Sequence, residues 1–502
     1  MLINADLLLQ YQRCKRRPFL DSHGDKNQRD TPNELLLKLQ HDKIAYQSSV
    51  LANLSYHRPN YPKGNWQAGQ AATLELMQRG VEYIRQGVLL ASYDDWVNTG
   101  NEEVSLSPSY QGYTLLSRPD LLVKQPGESC FGDWMYVPAS LEMGKRPKQE
   151  YQVGVAFHAQ VLATVQGVMP QTAWLKLRTK DSSYAVDLQR WNPEMQRILA
   201  ELIQTLELAD GPEVFISRQK CSLCHWYSNC YAIAQSQKHL SLLPGVTPVR
   251  YTQLQALSIT TLESLASTSP SVLENLPGFD SEVAPKLIVQ AQSVLQSRPF
   301  ILPYPAATEN ITFTAPIEIY FDIEAQPDLN LNYLLGVLIV DRQTNTEQFY
   351  SLLADRPEDE ELIWQQFLDL IGQYPEAPIY HFCAYEFDTV KRLAKLYHTP
   401  YSSVRPVLNR FVDVYEQLTQ SVALPIESYA LKAIARWLGF EWRDKEASGA
   451  KCIYWYDQWL ETGDRTLLEL IQRYNEDDCR ATRNVKDWLV KFFQEEYYLR
   501  PA

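Results

Sequence analysis

The sequence has no apolar stretch approaching the roughly 18–20 residues that a membrane-spanning helix needs. It also lacks the charge order of a secretory signal, because Asp6 comes before the basic run that begins at Arg13. Hydrophobic residues make up 45% of the chain and charged residues 21%, which excludes disordered and collagen-like classes. We therefore expect a soluble, cytoplasmic protein without a membrane partner. Its 502 residues are enough for roughly two to four domains.

An excess of basic residues, which many nucleic-acid-binding proteins have, is also missing, since the formal net charge is −13. The two parts of the chain differ in this respect. Residues 1–310 hold 28 Lys and Arg against 29 Asp and Glu, whereas residues 311–502 hold 19 against 31. A carboxylate-rich domain can still bind a polyphosphate when divalent metal ions bridge the two. The net charge alone therefore excludes no nuclease.

Hydrophobic patterning predicts an α/β multidomain protein. Residues 1–235 form a mixed α/β segment with helices over 31–57, 70–87, 148–167 and 192–208 and strands over 113–123, 133–142 and 172–178. Residues 236–298 contain Leu-Pro-Gly twice, ending at Gly245 and Gly278, each time before a helix. This echo predicts a connector of two helical hairpins with tight glycine turns.

The rest of the chain is predicted to contain a linker and a second α/β domain. Residues 299–315 are rich in proline and show no periodicity, which indicates a linker. Residues 316–502 begin with strand-like runs, followed by a helix over 356–372, a short strand that reaches His381, and further helices.

The cysteines suggest a metal site in the first domain. Disulfides are disfavoured in the cytoplasm, and Cys221-x2-Cys224-x5-Cys230 has the spacing of metal ligands. A four-coordinate site needs one more ligand, and Cys14, in a basic and aromatic stretch, is the best candidate. His225 is an alternative fourth ligand for zinc, and unligated core thiols are a further alternative. The spacing by itself leaves zinc and iron–sulfur open.

An early cysteine beside Arg and Lys, followed much later by Cys-x2-Cys-x5-Cys, resembles the iron-staple nucleases. These are RecB-type exonucleases of the PD-(D/E)xK class, including the CRISPR-associated ones. The resemblance covers about residues 1–235. It implies a RecB-like, restriction-endonuclease-type α/β domain with a 4Fe–4S cluster bound by Cys14, Cys221, Cys224 and Cys230. Zn²⁺ is the alternative occupant.

The nuclease site of this first domain looks degenerate. Asp120 follows a strand, as the class requires, but the later acid-x-Lys-x-Gly-Lys motif is altered. When the motif is aligned on its Gly-Lys, Ser140 replaces the acid and Glu142 replaces the lysine. Serine cannot replace an anionic ligand, and glutamate cannot replace the cation that steadies the developing charge. We predict a fold that has lost its chemistry but can still bind DNA.

Two other interpretations concern the same part of the chain. Glu142 could join Asp120 as a metal ligand, with Lys145 or Lys148 as the cation of a rearranged site. The Leu-Pro-Gly turns resemble helix-hairpin-helix elements, whose backbone N–H groups contact phosphates without reading sequence. Alternatively these helices are only a packed connector, with Arg250 and Lys286 as the nearest basic residues.

A second candidate nuclease site lies in the last domain. In the strand that contains Asp322 and Glu324, isoleucine and phenylalanine alternate with these acids, so both carboxylates share one face. Glu386 opens a helix directly after a strand. Tyr474 and Asp478 are spaced i, i+4 and share a helix face. Each signal alone has a plain alternative, namely a solvated strand face, a helix-start acid and an acidic helix surface.

Taken in order, these motifs resemble the DEDD-type 3′–5′ exonucleases of the ribonuclease H-like superfamily, in the subgroup with tyrosine in the last motif. The resemblance covers about residues 316–490. It implies two Mg²⁺ or Mn²⁺ ions, with Asp322, Glu324, Glu386 and Asp478 as ligands and Tyr474 orienting the attacking water. Glu386 stands where the family has aspartate, and Asp388 is the alternative ligand. The segment from Ser428 to Lys432 resembles one that lies near the substrate.

The whole order resembles bacterial RecB-family nucleases with a C-terminal ribonuclease H-like domain. It predicts a metal-dependent 3′–5′ exonuclease acting on DNA, single-stranded or at its ends, with RNA not excluded. One alternative is a non-catalytic scaffold that binds DNA ends or single strands. Another is a subunit of a repair or defence complex, in which the iron–sulfur domain docks partner proteins.

Overall fold

The structure is a computed structural model that describes residues 1–32, 34–93, 112–178, 183–303 and 314–498. The chain divides into two compact units. Unit 1 comprises Met1–Val214 and Arg218–Tyr231, and unit 2 comprises Phe215–Ser217 and Ala232–Ala502. The predicted connector and the predicted last domain thus belong to the same unit.

Unit 1 is a mixed α/β body with two sheets. The smaller sheet has the order β1-β4-β3, and the larger has the order β2-β5-β6-β7-β8. Its strands are β1 (Leu2–Asn4), β2 (Tyr83–Arg85), β3 (Leu89–Ser92), β4 (Thr114–Ser117), β5 (Leu121–Ser129), β6 (Gly132–Glu142), β7 (Ala173–Leu177) and β8 (Tyr184–Val186). Its helices are α1 (Ala5–Arg13), α2 (Arg16–His23), α3 (Glu34–Leu51), α4 (Trp66–Gln78), α5 (Gln149–Gln166), α6 (Leu188–Leu206) and α7 (Arg218–Cys221), followed by α8 (Tyr227–Ser236) at the boundary.

The core of unit 1 is formed by the crossover from β6 through α5 to β7. Strands β6 and β7 pair in parallel, which requires a connection of this kind. Helix α5 buries residues on most of its circumference, including Val153, Phe157 and Val161. Strands β5 and β6 are antiparallel, so Asp120, just before β5, lies beside the end of β6. The fold therefore brings Asp120 and Glu142 to one edge of the sheet.

One predicted helix of unit 1 is wrong in its second half. The helix expected over 70–87 spans Trp66–Gln78, and Tyr83–Arg85 form a strand. The helix ends before Gly80, whose φ of +66° is left-handed. Residues with a Cβ rarely adopt this conformation, so a glycine here commonly marks a helix end. The predictions for 31–57, 148–167 and 192–208 correspond to α3, α5 and α6.

Unit 2 begins with the small helices of the connector, which have their own apolar core. They are α9 (Pro248–Ala256), α10 (Leu262–Ala266), α11 (Pro270–Leu273) and α12 (Val283–Gln296). Gly245 and Gly278 adopt positive φ angles of +91° and +85°, as the two Leu-Pro-Gly turns require. The Arg250 guanidinium bridges them, donating to Gly245 O at 2.7 Å and to Gly278 O at 2.6 Å. One side chain therefore joins the two repeated turns.

The remainder of unit 2 is built on a five-stranded sheet of order β12-β11-β10-β13-β14. The strands are β9 (Phe300–Ile301), β10 (Ile317–Gln326), β11 (Leu331–Asp341), β12 (Thr346–Leu353), β13 (Ile379–His381), β14 (Phe411–Asp413) and β15 (Val422–Ala423). The helices are α13 (Glu360–Gly372), α14 (Tyr385–Leu396), α15 (Tyr401–Leu408), α16 (Val414–Ser421), α17 (Leu431–Trp437), α18 (Gly449–Thr462) and α19 (Arg465–Tyr498). Part of the predicted linker, Phe300–Ile301, pairs with β15, while residues 304–313 lie outside the described residues.

Strand β10 occupies the centre of this sheet. It pairs antiparallel with β11 and parallel with β13, and helix α19 packs against both β10 and β11. Almost all of β10 and β11 is buried, as expected for central strands covered on both faces. Two of its acids share one face of the strand, and Asp322 is half-buried whereas Glu324 is buried. Those acids, and the side chains that α19 lays across them, define the candidate site.

Candidate metal centre

Three carboxylates meet where α19 crosses β10. Asp322 and Glu324 lie on the same face of β10, and Asp478 comes from the middle of α19. One oxygen from each lies within 4.8 Å of the other two. Among the described residues, this is the group of acids, histidines and cysteines with the spacing of a single metal site. The structure thus brings Asp478 together with two predicted ligands that precede it by more than 150 residues in the sequence.

These carboxylates are held in an unfavourable electrostatic setting. Glu324 is 6% exposed and Asp478 is 9% exposed. Burial, followed by repulsion from Asp478 and Glu324, raises the pKa of Asp322 well above its usual range. Burial raises the pKa of Asp478 to about 7, against the opposing effect of hydrogen bonds from Trp442 and Tyr474. A bound cation would relieve this repulsion, because it favours the charged form of all three groups.

Glu386 is the fourth predicted ligand, and it lies outside this group of three but near enough to act on Asp322 and Glu324. Its charge contributes to the raised pKa values of Asp322 and Glu324. The side chain is buried, and its Oε2 has no hydrogen-bond partner among the described residues. A buried carboxylate oxygen without a partner is costly unless something binds it. Asp388, the alternative ligand, is exposed instead.

The loop before Glu386 is held in a strained conformation. Cys383 has a φ of +77°, which is rare for a residue with a side chain. Its N–H donates to Asp413 Oδ1 at 3.1 Å, and His381 Nδ1 lies 2.6 Å from its carbonyl oxygen. His381 Nδ1 also lies 3.6 Å from Glu386 Oε2. Side chains at the ends of β13 and β14 therefore fix the start of α14 and the position of Glu386.

Tyr474 lies one turn before Asp478 on α19, and its side chain is buried. Burial and the nearby carboxylates raise the pKa of its hydroxyl, which therefore stays protonated. Lys432, in the segment predicted to lie near the substrate, places its Nζ 5.7 Å from the centre of the Tyr474 ring. It also lies 5.3 Å from the Trp442 ring. Lys432, the last residue of this segment, thus lies beside the aromatic side chains next to Asp478.

Two contacts on the acids were not predicted from the sequence. The indole N–H of Trp442 donates to Asp478 Oδ1 at 2.7 Å, and the Asn475 amide donates to Asp322 Oδ2 at 2.6 Å. Trp442 lies in a stretch without a recognisable motif. Asn475 directly follows Tyr474, and this adjacency is the signal that could have identified it.

The donor set fits a hard divalent cation. Every candidate ligand is a carboxylate oxygen, the donor type that Mg²⁺ and Mn²⁺ prefer, and neither a thiol nor an imidazole belongs to the group. Near this group, Glu386 adds a buried oxygen that has no hydrogen-bond partner in the part of the chain that the structure describes. Asp322, Glu324, Asp478 and Glu386 are therefore suitable ligands for such ions.

The predicted site of unit 1 differs in character. Asp120, Glu142 and Lys43 line a cavity of about 400 Å³, whereas Lys145 does not line it and is exposed. Lys43 Nζ lies 3.3 Å from Glu142 Oε2. Both oxygens of Asp120 accept protein hydrogen bonds, from Leu141 N at 2.7 Å and Gln47 Nε2 at 2.9 Å. Burial raises the pKa of both Asp120 and Glu142, and the Leu141 N–H and the Lys43 ammonium oppose this effect. The cation beside these acids comes from α3, which sequence reasoning missed.

The four predicted cluster cysteines belong to neighbouring parts of unit 1. Helix α2 packs against the segment after α7, where Trp226 is buried against Phe19 and Leu20, with Cys224 and Cys230 at the edge. Asp21 Oδ1 accepts a hydrogen bond from the Trp226 indole at 2.9 Å. Within the described part of the chain, no three of these sulfurs lie within 4.8 Å of one another. His225, the alternative ligand, is engaged with Asp21 at 2.6 Å.

Comparison with known families bears on the second unit. Residues 319–490 match the family model described as RNase_H superfamily. No curated protein matches the chain. Of the helices that the structure describes, none is both long and apolar enough to cross a membrane. The match covers the sheet and both helices that carry the acids, and it indicates a nuclease-type, metal-dependent activity and a nucleic-acid substrate. The C-terminal part of this chain is an RNase H-like domain.

Proposed function

We propose that the RNase H-like domain is a 3′–5′ exonuclease that hydrolyses phosphodiester bonds of single-stranded DNA. The observation that carries this proposal is the meeting of Asp322, Glu324 and Asp478 within 4.8 Å. Ordinary surface acids stay in water, because burying like charges together is costly. A buried group of three acids in an RNase H-like domain is best explained by a requirement for metal ions.

In this proposal Asp322, Glu324, Glu386 and Asp478 hold two divalent ions. Such ions lower the pKa of water and neutralise the charge that develops on the leaving oxygen. The side chains of the protein determine where this happens. The buried carboxylates fix the ion positions, and Trp442 and Asn475 fix the orientation of Asp478 and Asp322. In this proposal the hydroxyl of Tyr474, which stays protonated, holds the attacking water by a hydrogen bond.

The direction of cleavage and the preference for single strands rest on the resemblance to DEDD-type exonucleases. They are tested with the same DNA strand labelled at its 3′ or its 5′ end, in the presence of Mn²⁺. Early release of the 3′ label from single strands, with slower attack on duplex, is expected. An RNA strand of the same sequence tests the choice of nucleic acid, and faster cleavage of RNA than of DNA would assign RNA as the substrate. Release of the 5′ label first would overturn the proposed polarity.

The assignment of the chemistry to unit 2 is tested with two matched variants. Asp322→Ala is expected to abolish cleavage, whereas Asp120→Ala is expected to leave it unchanged. Loss in Asp120→Ala alone would instead assign the activity to unit 1. Wild-type protein that binds DNA ends but cleaves neither DNA nor RNA would favour the scaffold function. EDTA is expected to stop cleavage, and Asp322→Ala protein purified in the same way is the control for contaminating nuclease.

For unit 1 we propose a RecB-like domain with a degenerate active site. The compensation of Glu142 by Lys43 and of Asp120 by two protein donors supports this. We further propose that Cys14, Cys221, Cys224 and Cys230 hold a 4Fe–4S cluster. Each cysteine of such a cluster binds a different iron, so its sulfurs need not be as close as the ligands of one ion. Zinc is the second candidate.

The cluster proposal is tested on protein purified without oxygen. Four iron and four sulfide per chain, with broad visible absorption that is lost in Cys230→Ser, is the expected result. One equivalent of zinc in place of iron would support the zinc alternative. Cys130→Ser is the matched control, because this exposed cysteine lies outside the proposed ligand set. If a complex partner docks on this unit, loss of the cluster should weaken that binding without slowing cleavage.

A further inference from the structure

Asn475 makes a short hydrogen bond to an acid of the metal centre. Its amide nitrogen donates to Asp322 Oδ2 at 2.6 Å, and its side chain is fully buried. The other end of the amide, Oδ1, has no hydrogen-bond partner among the described residues. Burying an amide oxygen in this way is unfavourable. We therefore expect the hydrogen bond from Asn475 to Asp322 to serve a function that offsets this cost in folding free energy.

The place that Asn475 occupies exists only because residue 336 is glycine. Gly336 is the cross-strand partner of Asp322, so any side chain there would point to the same face of the sheet. A Cβ at position 336 would lie 1.6 Å from Asn475 Oδ1. Its φ lies outside the left-handed region, so backbone conformation does not require glycine at this position. The glycine is needed for the space that it leaves.

We propose that Asn475 and Gly336 form a matched pair that positions Asp322 for metal binding. The Asn475 amide holds Oδ2 of Asp322 and so fixes the orientation of this carboxylate beside Glu324 and Asp478. Gly336 provides the notch in β11 that lets α19 approach closely enough for this contact. Asn475 is thus a positioning residue and Gly336 its structural counterpart. This inference rests on the proposed metal-dependent function.

The test measures binding of Mn²⁺ alone by titration calorimetry to wild type, Asn475→Ala, Gly336→Ala and the double variant. We expect Asn475→Ala to weaken Mn²⁺ binding by about 10- to 100-fold, the usual range for a residue that orients a metal ligand. Gly336→Ala should weaken it similarly. The double variant should be no worse than the more affected single variant, because the two changes disrupt one contact.

A kinetic readout separates positioning from general damage. Asn475→Ala should require more Mn²⁺ for half-maximal cleavage, with kcat partly restored at saturating metal and KM for DNA unchanged. Gln472→Ala is a matched control on the same helix, since Gln472 bonds to Ser351 and not to the acids. If Gly336→Ala does not fold, the Mn²⁺ affinities of Asn475→Ala and of Asn475→Ser, which also removes the amide, decide between the two roles.

The outcomes for this inference and for the proposed function differ. Wild-type protein that binds Mn²⁺ and cleaves DNA, with Asn475→Ala and Asn475→Ser binding Mn²⁺ equally well, would overturn the positioning role alone. A lower unfolding temperature in Asn475→Ala with unchanged Mn²⁺ affinity would do the same. Wild-type protein that binds no Mn²⁺ would overturn both the metal-dependent function and this inference.

Discussion

Replacing Asp322 with asparagine should make the protein more stable and inactive at the same time. The substitution keeps the shape of the side chain, so an oxygen can still accept the hydrogen bond from Asn475. It removes one of three negative charges that lie within 4.8 Å of one another. The repulsion between two charges at this distance is about 3 kcal/mol at an effective dielectric constant of about 20.

Part of this repulsion is already relieved by proton uptake, as the raised pKa values of Asp322 and Asp478 indicate. We therefore expect Asp322→Asn to raise the free energy of unfolding by about 2 kcal/mol in EDTA. Saturating Mn²⁺ should reverse the order. A ligand present at about 100 times its dissociation constant stabilises the folded protein by about 2.7 kcal/mol, and the variant should gain much less.

The assay is urea unfolding of both proteins in EDTA and in Mn²⁺, combined with the DNA-cleavage measurement. Asp388→Asn is the matched control, since this neighbouring acid of α14 is exposed and should change neither stability nor activity. Lower stability of Asp322→Asn in EDTA would show that the acids are not in mutual repulsion. Equal stabilisation of both proteins by Mn²⁺ would show that Asp322 is not a ligand.

Three further predictions concern the framework around the sites. Lys486→Met should destabilise unit 2 by about 2 kcal/mol in urea unfolding, because fully buried Glu318 loses the charge partner of its Oε1 and keeps only Arg342, which pairs with Oε2. Lys491→Met, on the exposed side of the same helix, should have little effect, and equal losses would contradict the argument. His158 is buried and contacts Ser117 Oγ at 2.8 Å, and burial lowers its pKa to about 4. Because the unfolded chain takes up this proton near pH 6.5 and the folded chain does not, unit 1 should lose about 3 kcal/mol of stability between pH 6.5 and 4. His158→Asn should flatten that dependence, and an unchanged pH profile in this variant would rule out the histidine as its source. Arg250→Ala should lower the stability of the connector by about 1–3 kcal/mol, since two glycine carbonyls lose their donor. Hydrogen exchange of the connector amides measures this effect, and unchanged protection at Gly245 and Gly278 would show that the bridge is dispensable.

Much of the candidate site was predictable because its motifs are local. The alternation around Asp322 and Glu324 fixes their common face on a strand, and the i, i+4 spacing of Tyr474 and Asp478 fixes theirs on a helix. Such patterns depend on the periodicity of one element. The same applies to the two Leu-Pro-Gly turns, where a positive φ demands glycine. These features needed no knowledge of the tertiary fold.

The misplaced helix and the missed partners have a different origin. A helical pattern continues beyond Gln78, but pairing of Tyr83–Arg85 with β5 makes that stretch a strand. Sequence spacing does not reveal Lys43, because its partner Glu142 is 99 residues away. Lys145 is only three residues from Glu142 in the sequence, but it lies outside the cavity. Pairings over such separations are determined by how sheets and helices pack, which sequence spacing does not show.

The sequence by itself determined the chemistry that is available in this protein: the acids of β10 and α19, the tyrosine one turn from Asp478, and the grouping of three cysteines. Only the tertiary structure decided which of these residues meet. It brought three acids within 4.8 Å of one another and left space at Gly336 for Asn475. In unit 1, by contrast, it paired Asp120 with hydrogen-bond donors of the protein. The physical reason is that residue type sets what a side chain can bind, whereas close packing of distant elements sets what it does bind.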